Sequence, residues 1–191
     1  MKFDLNITKI PKAVTLRFEI ESTKPMMMNP YIPNDKEFAK QEQSGNISAK
    51  ECAEHRIIRD EDGSIAIPNT YIERGMEQSA TAFKLEGAGK KTYKDIIRGY
   101  THVEPAFIKL LNTKITTDSR GVVIKATRGR IMRHRPRVET YKAIFDVVVA
   151  DPKVSLQTTV NIVQYLGARI GIGDNRPKNG LFKVTSVKEV T

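Results

Sequence analysis

Between Arg120 and Arg137, in RGVVIKATRGRIMRHRPR, the chain carries seven Lys or Arg and no Asp or Glu. They are Arg120, Lys125, Arg128, Arg130, Arg133, Arg135 and Arg137. Arg128 and Arg130 alternate, as do Arg133, Arg135 and Arg137. Alternate residues of an extended strand share one face. A hairpin made from this segment therefore presents a comb of guanidinium groups to one side, with His134 among them. Guanidinium forks match phosphate oxygens bidentately and stack on bases. With no acidic counterweight nearby, the pattern predicts contact with a polyanion, above all nucleic acid. Its structural alternative is a charged strand protecting a sheet edge.

A second segment, GARIGIGDNRPKNG at 167–180, mixes Gly167, Gly171, Gly173 and Gly180 with Arg169, Arg176 and Lys178. Glycine lets a backbone approach a ligand closely or take positive φ. Backbone N–H groups beside guanidinium suit phosphates. No G-K-[ST] follows, and the loop comes after a helix pattern and before a strand pattern. That order excludes a Walker A loop and a dinucleotide fingerprint. Gly167 alone would suffice as a helix C-cap; the other glycines and the cations exceed what a cap needs.

Catalytic constellations are sparse. His55, His102 and His134 form no HxxxH or HExxH pair, so no zinc site is expected. Cys52, the single cysteine, excludes an internal disulfide framework. Asp60, Glu61 and Asp62 precede Gly63 and read as a solvated turn rather than a metal site. No metal and no cofactor are expected.

The 191 residues suit one domain, 1–191, with an insertion. The net charge of +10 favours an anionic partner. No stretch approaches the roughly 18 apolar residues of a membrane span, and the N-terminus lacks the apolar run of a signal peptide. A cytoplasmic protein without a membrane partner is expected.

Val14, Leu16, Phe18 and Ile20 alternate with polar residues, which predicts a strand with one buried face. The insertion, 24–60, opens with a Pro-rich and Met-rich stretch that reads as a long loop to residue 48. SIAI at 64–67 reads as a strand, and a helix opened by Pro68 and Asn69 follows, with Ile72, Met76 and Ala80 inward. A short helix is expected near Thr92–Gly99. Residues 101–111 and 113–117 look extended, with a turn at Asp118-Ser119; the basic hairpin is placed at 113–138. Tyr141 to Val149 is apolar at both parities, which predicts a central strand covered on both faces. Ser155 caps a helix bearing Leu156, Val160, Val163 and Leu166, and Phe182 opens a last strand. This order predicts an α+β domain with a ferredoxin-like, RRM-like antiparallel sheet. Helices lie on one face, and RNA-recognition folds use the other.

Two blocks carry a resemblance. Leu166–Val184, LGARIGIGDNRPKNGLFKV, resembles the C-terminal glycine-rich loop of the RAMP superfamily, the RNA-binding proteins of CRISPR effector complexes. Asp62–Ala80, DGSIAIPNTYIERGMEQSA, is similar to the element that opens their first helix. The resemblance best suits the backbone subunits that polymerise along a guide RNA, or a phage-encoded relative.

That resemblance implies roles. Asn69, Arg74 and Gln78 would face guide phosphates from the first helix. Arg169, Asn175, Arg176 and Lys178 would line the guide channel. A protruding "thumb" would wedge between bases. Two segments fit it: the excursion with Met26, Met27, Met28 and Tyr31, or the basic hairpin; for the methionines, core filling is the equal alternative. Some backbone subunits cut target RNA with a loop aspartate, and Asp35 is the one candidate for that role. The implied function is non-catalytic: head-to-tail coating of a single-stranded guide RNA, presented to a complementary RNA or DNA target, with other effector subunits as further partners. The rivals are a phage single-stranded DNA-binding or annealing protein, a repeat-RNA endonuclease of the same superfamily, and a structural virion protein.

Overall fold

A computed structural model describes residues 12–30, 36–123, 128–151 and 154–190. Tyr31, Asp35 and Lys125 lie outside them. The element order is β1 (Val14–Ser22), β2 (Met26–Met27), α1 (Lys36–Ser44), α2 (Ala49–Glu54), β3 (Ala66–Pro68), α3 (Thr70–Ala80), α4 (Lys94–Tyr100), β4 (Thr101–Glu104), β5 (Phe107–Val123), β6 (Arg130–Val149), α5 (Leu156–Tyr165), a π-helical turn (Leu166–Ile170) and β7 (Phe182–Val190).

The strands form one antiparallel sheet in the order β3-β5-β6-β1-β7, with β2 and β4 also paired to β6. The spine β1, α3, β5, β6, α5, β7 is the βαββαβ path of a ferredoxin-like fold, as the element order predicts. Alternation on the two central strands builds the core. Leu16, Phe18 and Ile20 face inward from β1, and Tyr141, Ala143, Phe145 and Val147 from β6. The Phe18 and Phe145 rings stack 5.6 Å apart. Ile72 and Met76 of α3, and Ile162 and Val163 of α5, close over this face.

The other face of β6 is open, against the expectation of a strand covered on both sides. Ile144 is 46% exposed there. It sits in a charged surface: Arg17 donates two 2.8 Å hydrogen bonds to Asp146, and Glu21 pairs with Lys142 and Lys183. The central strands show no aromatic ring on this face. Base stacking in the manner of an RNA-recognition sheet has no platform on them.

Three further expectations change. Asp118-Ser119 is not a turn, because β5 runs on to Val123 and pairs with β6 throughout. The Met-rich excursion is not one long loop. Met26 and Met27 add to the β6 ladder opposite Val138 and Arg137. Two helices then follow, the second opened by a capping box between Ser48 and Glu51. Gly167 is not a C-cap but lies inside the π-helical turn, packed on Phe182. Among the described residues no helix is long and apolar enough to cross a membrane.

Candidate nucleic-acid interface

β5 and β6 outrun the rest of the sheet and form a long hairpin. Two irregularities shape it. Asn112 takes a left-handed φ of 54° near a register shift between Leu111 and Lys114, and a second shift between Lys114 and Ile115 leaves Glu139 without a residue opposite it in the β5–β6 register. Each extra residue reverses the parity of its strand. Odd residues of β6 face the core from Tyr141 onward, whereas Val138 and Pro136 are the buried ones before the bulge. Arg133, Arg135 and Arg137 are thereby turned onto one shared face. Arg120, Asp118 and Thr116 stand opposite them in register. The comb inferred from alternation exists for these three. Arg130 pairs with Val123 and lies on the other face with Met132 and His134. Arg128 is exposed at a φ of 56°.

The comb has an acidic counterweight, contrary to expectation. Arg133 reaches Glu42 at 3.2 Å and Arg135 reaches Asp174 at 3.1 Å. Arg137 lies 3.3 Å from Glu139 and 3.9 Å from Asp118, and Asp118 also holds Arg120 at 2.7 Å. None of these carboxylates lies within 120–137. Two come from the flanks of the hairpin strands, one from α1 and one from the glycine loop.

The glycine loop docks on β2. The Asp174 N–H donates to the Met27 carbonyl at 2.8 Å, and the Gly180 N–H to the Pro25 carbonyl at 2.7 Å. The Asn179 amide rests 3.4 Å from the Met27 sulfur. A Cβ on Gly173 would stand 2.6 Å from the Met27 carbonyl oxygen and 2.7 Å from Met26 Cγ, so only glycine permits this approach. The helix α3 is drawn to the same place, because Gly75 allows Leu166 to pack directly on its backbone.

These contacts create a cleft of about 170 Å³ lined by Asn29, Thr70, Tyr71, Arg74, Gly173, Asp174 and Arg176. Arg74 and Arg176, assigned from two separate segments, converge in it. Among the described residues Arg74 has no ion-pair partner, and Arg176 makes only a 3.4 Å hydrogen bond to the Gly171 carbonyl. Tyr71 forms the wall; burial first, then the Asp174 carboxylate, pushes its phenol above the ordinary range, so it is a neutral hydroxyl. The Asp174–Arg135 pair joins the cleft to the arginine face of the hairpin. Cations thus run from α3 across the glycine loop to β6.

The other assigned residues are placed as follows. Gln78, Arg169 and Lys178 are exposed but do not line the cleft. Asn175 is half-buried in the loop at a φ of 56°. The Asn69 side-chain amide donates to the Val103 carbonyl at 2.8 Å, so it tethers α3 to β4 and is not held for a phosphate. Met26, Met27 and Met28 are fully buried. They cannot wedge between bases; they are core, held by the ladder to β6 and by the glycine loop above. On the hairpin, Val123 and Met132 are 58% and 52% exposed. Tyr71, Asn29, Asp174 and Glu42 were not singled out from sequence. Asp174 sits inside the glycine segment and could have been; Glu42, in a polar helix far along the chain, gave no signal.

The histidines lie apart. His55 stacks on Phe38, His102 lies 3.3 Å from Glu104, and His134 Nδ1 is 2.7 Å from the Ser119 hydroxyl. Cys52 is buried, and that burial raises its thiol pKa. Among the described residues no cluster of His, Cys, Asp and Glu could hold a metal ion.

No protein-family profile and no curated protein matches the chain. Solved structures do. A chain of the Type III-B Cmr-beta bound to cognate target RNA superposes on 94% of this chain with a TM-score of 0.61 at 11% identity. The present chain spans 61% of that one. Cmr6 from Pyrococcus furiosus superposes on 91% of this chain, and over 98% of its own, with a TM-score of 0.51 at 9% identity. The chain shares the fold of these Cmr proteins. At such identities the likeness is one of fold. The ferredoxin-like reading and the RAMP resemblance are borne out at that level.

Proposed function

We propose that this chain is a non-catalytic, RNA-binding backbone subunit of a CRISPR-like ribonucleoprotein, working in the cytoplasm. It coats a single-stranded guide RNA as a head-to-tail oligomer, alongside other effector subunits, and presents the bases to a complementary RNA or DNA target. The observation that carries this reading is the cleft, where Arg74 of α3 and Arg176 of the glycine loop converge beside the arginine face of β6. Two cations without carboxylate partners among the described residues suit phosphates. They give sequence-tolerant, salt-dependent affinity. The Cmr likeness in fold supports the same reading. Arg169 and Lys178 add contacts outside the cleft. The hairpin tip, with Met132 and Val123 exposed beside Arg128 and Arg130, is the segment that enters between bases.

The test is the salt dependence of single-stranded RNA binding. Each lost phosphate contact removes about 0.7 from the slope of log K against log salt on a single strand. Arg74→Ala with Arg176→Ala should therefore flatten the slope by about 1.4. An unchanged slope removes the cleft from the RNA path. Tighter binding of single-stranded DNA than of RNA would favour the annealing protein instead.

A further inference from the structure

We propose that the arginine face of the hairpin is masked by the protein's own carboxylates, and that RNA phosphates displace Glu42 and Asp174 to reach Arg133 and Arg135. This rests on the RNA-binding reading above and adds a regulatory contact to the same surface.

The argument starts from spacing. Arg133, Arg135 and Arg137 recur every second residue, so their Cα atoms are roughly 6.8 Å apart along the strand. That resembles the step between phosphates of an extended single strand. In the structure each of the three guanidinium groups meets a carboxylate instead. For Arg137 the carboxylates belong to the hairpin strands themselves, Glu139 and Asp118. For Arg133 and Arg135 they come from outside the hairpin, which makes those two contacts separable from it.

Glu42 is the tighter mask. Its side chain is only 5% exposed, and a single oxygen, Oε2, meets Arg56 at 2.8 Å and Arg133 at 3.2 Å. Its second oxygen is buried without a hydrogen-bond partner among the described residues. Arg56 has further partners in the Cys52 and His134 carbonyls. Arg133 is 37% exposed, and Glu42 is its described ion-pair partner. A phosphate arriving from solvent can thus take Arg133 while Glu42 keeps Arg56. Asp174 is the looser mask. It is anchored by its backbone to Met27, so its carboxylate can release Arg135 without moving the glycine loop. A carboxylate offers one charge and two oxygens; a phosphodiester offers one charge within a chain of them. The exchange is nearly balanced for one site and favourable for several phosphates on one strand. The mask therefore selects for extended polyanions over single anions.

The experiment measures a labelled single-stranded RNA by fluorescence anisotropy against salt, with wild type, Asp174→Asn, Glu42→Gln and, as a remote carboxylate, Glu61→Gln. Thermal melts by circular dichroism accompany each. Asp174→Asn should tighten binding about two- to fivefold, the upper part of the range for surface ion pairs because Arg135 is only 17% and Asp174 34% exposed, and steepen the salt slope by about 0.7. Glu42→Gln should do the same for Arg133 wherever its melt shows a folded protein, and Asp174→Asn alone decides the matter if it does not. Unchanged or weaker binding by folded Asp174→Asn overturns the mask while leaving the RNA-binding reading intact. Equal tightening by Glu61→Gln also overturns it, as a general charge effect. If neither wild type nor the variants bind RNA, both readings fall.

Discussion

Gly173→Ala probes the seat of the cleft, and Gly63→Ala supplies its reference. Both glycines have φ of +78°. Both alanines incur the left-handed penalty of about 1–2 kcal/mol. Their surroundings differ. A Cβ at Gly63 meets nothing within 4 Å, whereas one at Gly173 meets the Met27 carbonyl oxygen at 2.6 Å and Met26 Cγ at 2.7 Å. That carbonyl is the acceptor for the Asp174 N–H. Moving it risks the hydrogen bond, about 0.5–1.5 kcal/mol, and overpacks Met26 for about 1–3 kcal/mol. Gly63→Ala should therefore cost about 1–2 kcal/mol and Gly173→Ala about 2.5–6.5 kcal/mol. At this chain length each kcal/mol lowers Tm by about 2–4 °C. Paired urea titrations and melts read the difference. RNA affinity, measured where both variants are folded, should fall only for Gly173→Ala, since Arg176 moves with the loop. Equal losses of stability would refute the claim that the loop is seated on β2 by close packing.

Two further outcomes follow from burial and charge. Met26→Ala should cost about 2–5 kcal/mol in urea titrations, as core truncations do; a wedge methionine would instead lose RNA affinity at unchanged stability. Glu21, hydrogen-bonded to Lys183 and facing Lys142, is held below the usual carboxylate range. A lowered folded pKa gives stability that is present at neutral pH and is lost as pH falls through that folded value. Glu21→Gln should therefore lower the urea midpoint at pH 7, and the gap from wild type should close as the solution is acidified below about pH 4.

Strand and helix periodicity in this chain is a local property, and it was legible. Val14 to Ile20 alternates because one face meets a core, and that is written residue by residue. The order of elements then admits few topologies, and the ferredoxin-like path is the observed one. The resemblance of two short blocks assigned Arg74 and Arg176 each to the RNA path, and the fold brings both to the lining of one cleft. Neighbouring residues also set the charge pattern, so the Arg133, Arg135 and Arg137 face was readable from alternation.

What alternation could not give is which face that would be, or what would stand opposite. Two register shifts turn the comb away from the core, and they show only in the pairing of β5 with β6. The methionines read equally as wedge or core because their stretch lacks periodicity; two ladder pairs and the glycine loop bury them. The carboxylates that answer the arginines lie at 42, 118, 139 and 174, all outside the segment whose charge was counted. Net charge depends on composition alone. Ion pairing depends on distance in space, and folding alone brings Glu42 and Asp174 to the hairpin. The sequence by itself determined the elements, their order and the supply of cations. The tertiary structure decided which cations stand without an ion-pair partner among the described residues, Arg74 and Arg176 among them, and which are already held.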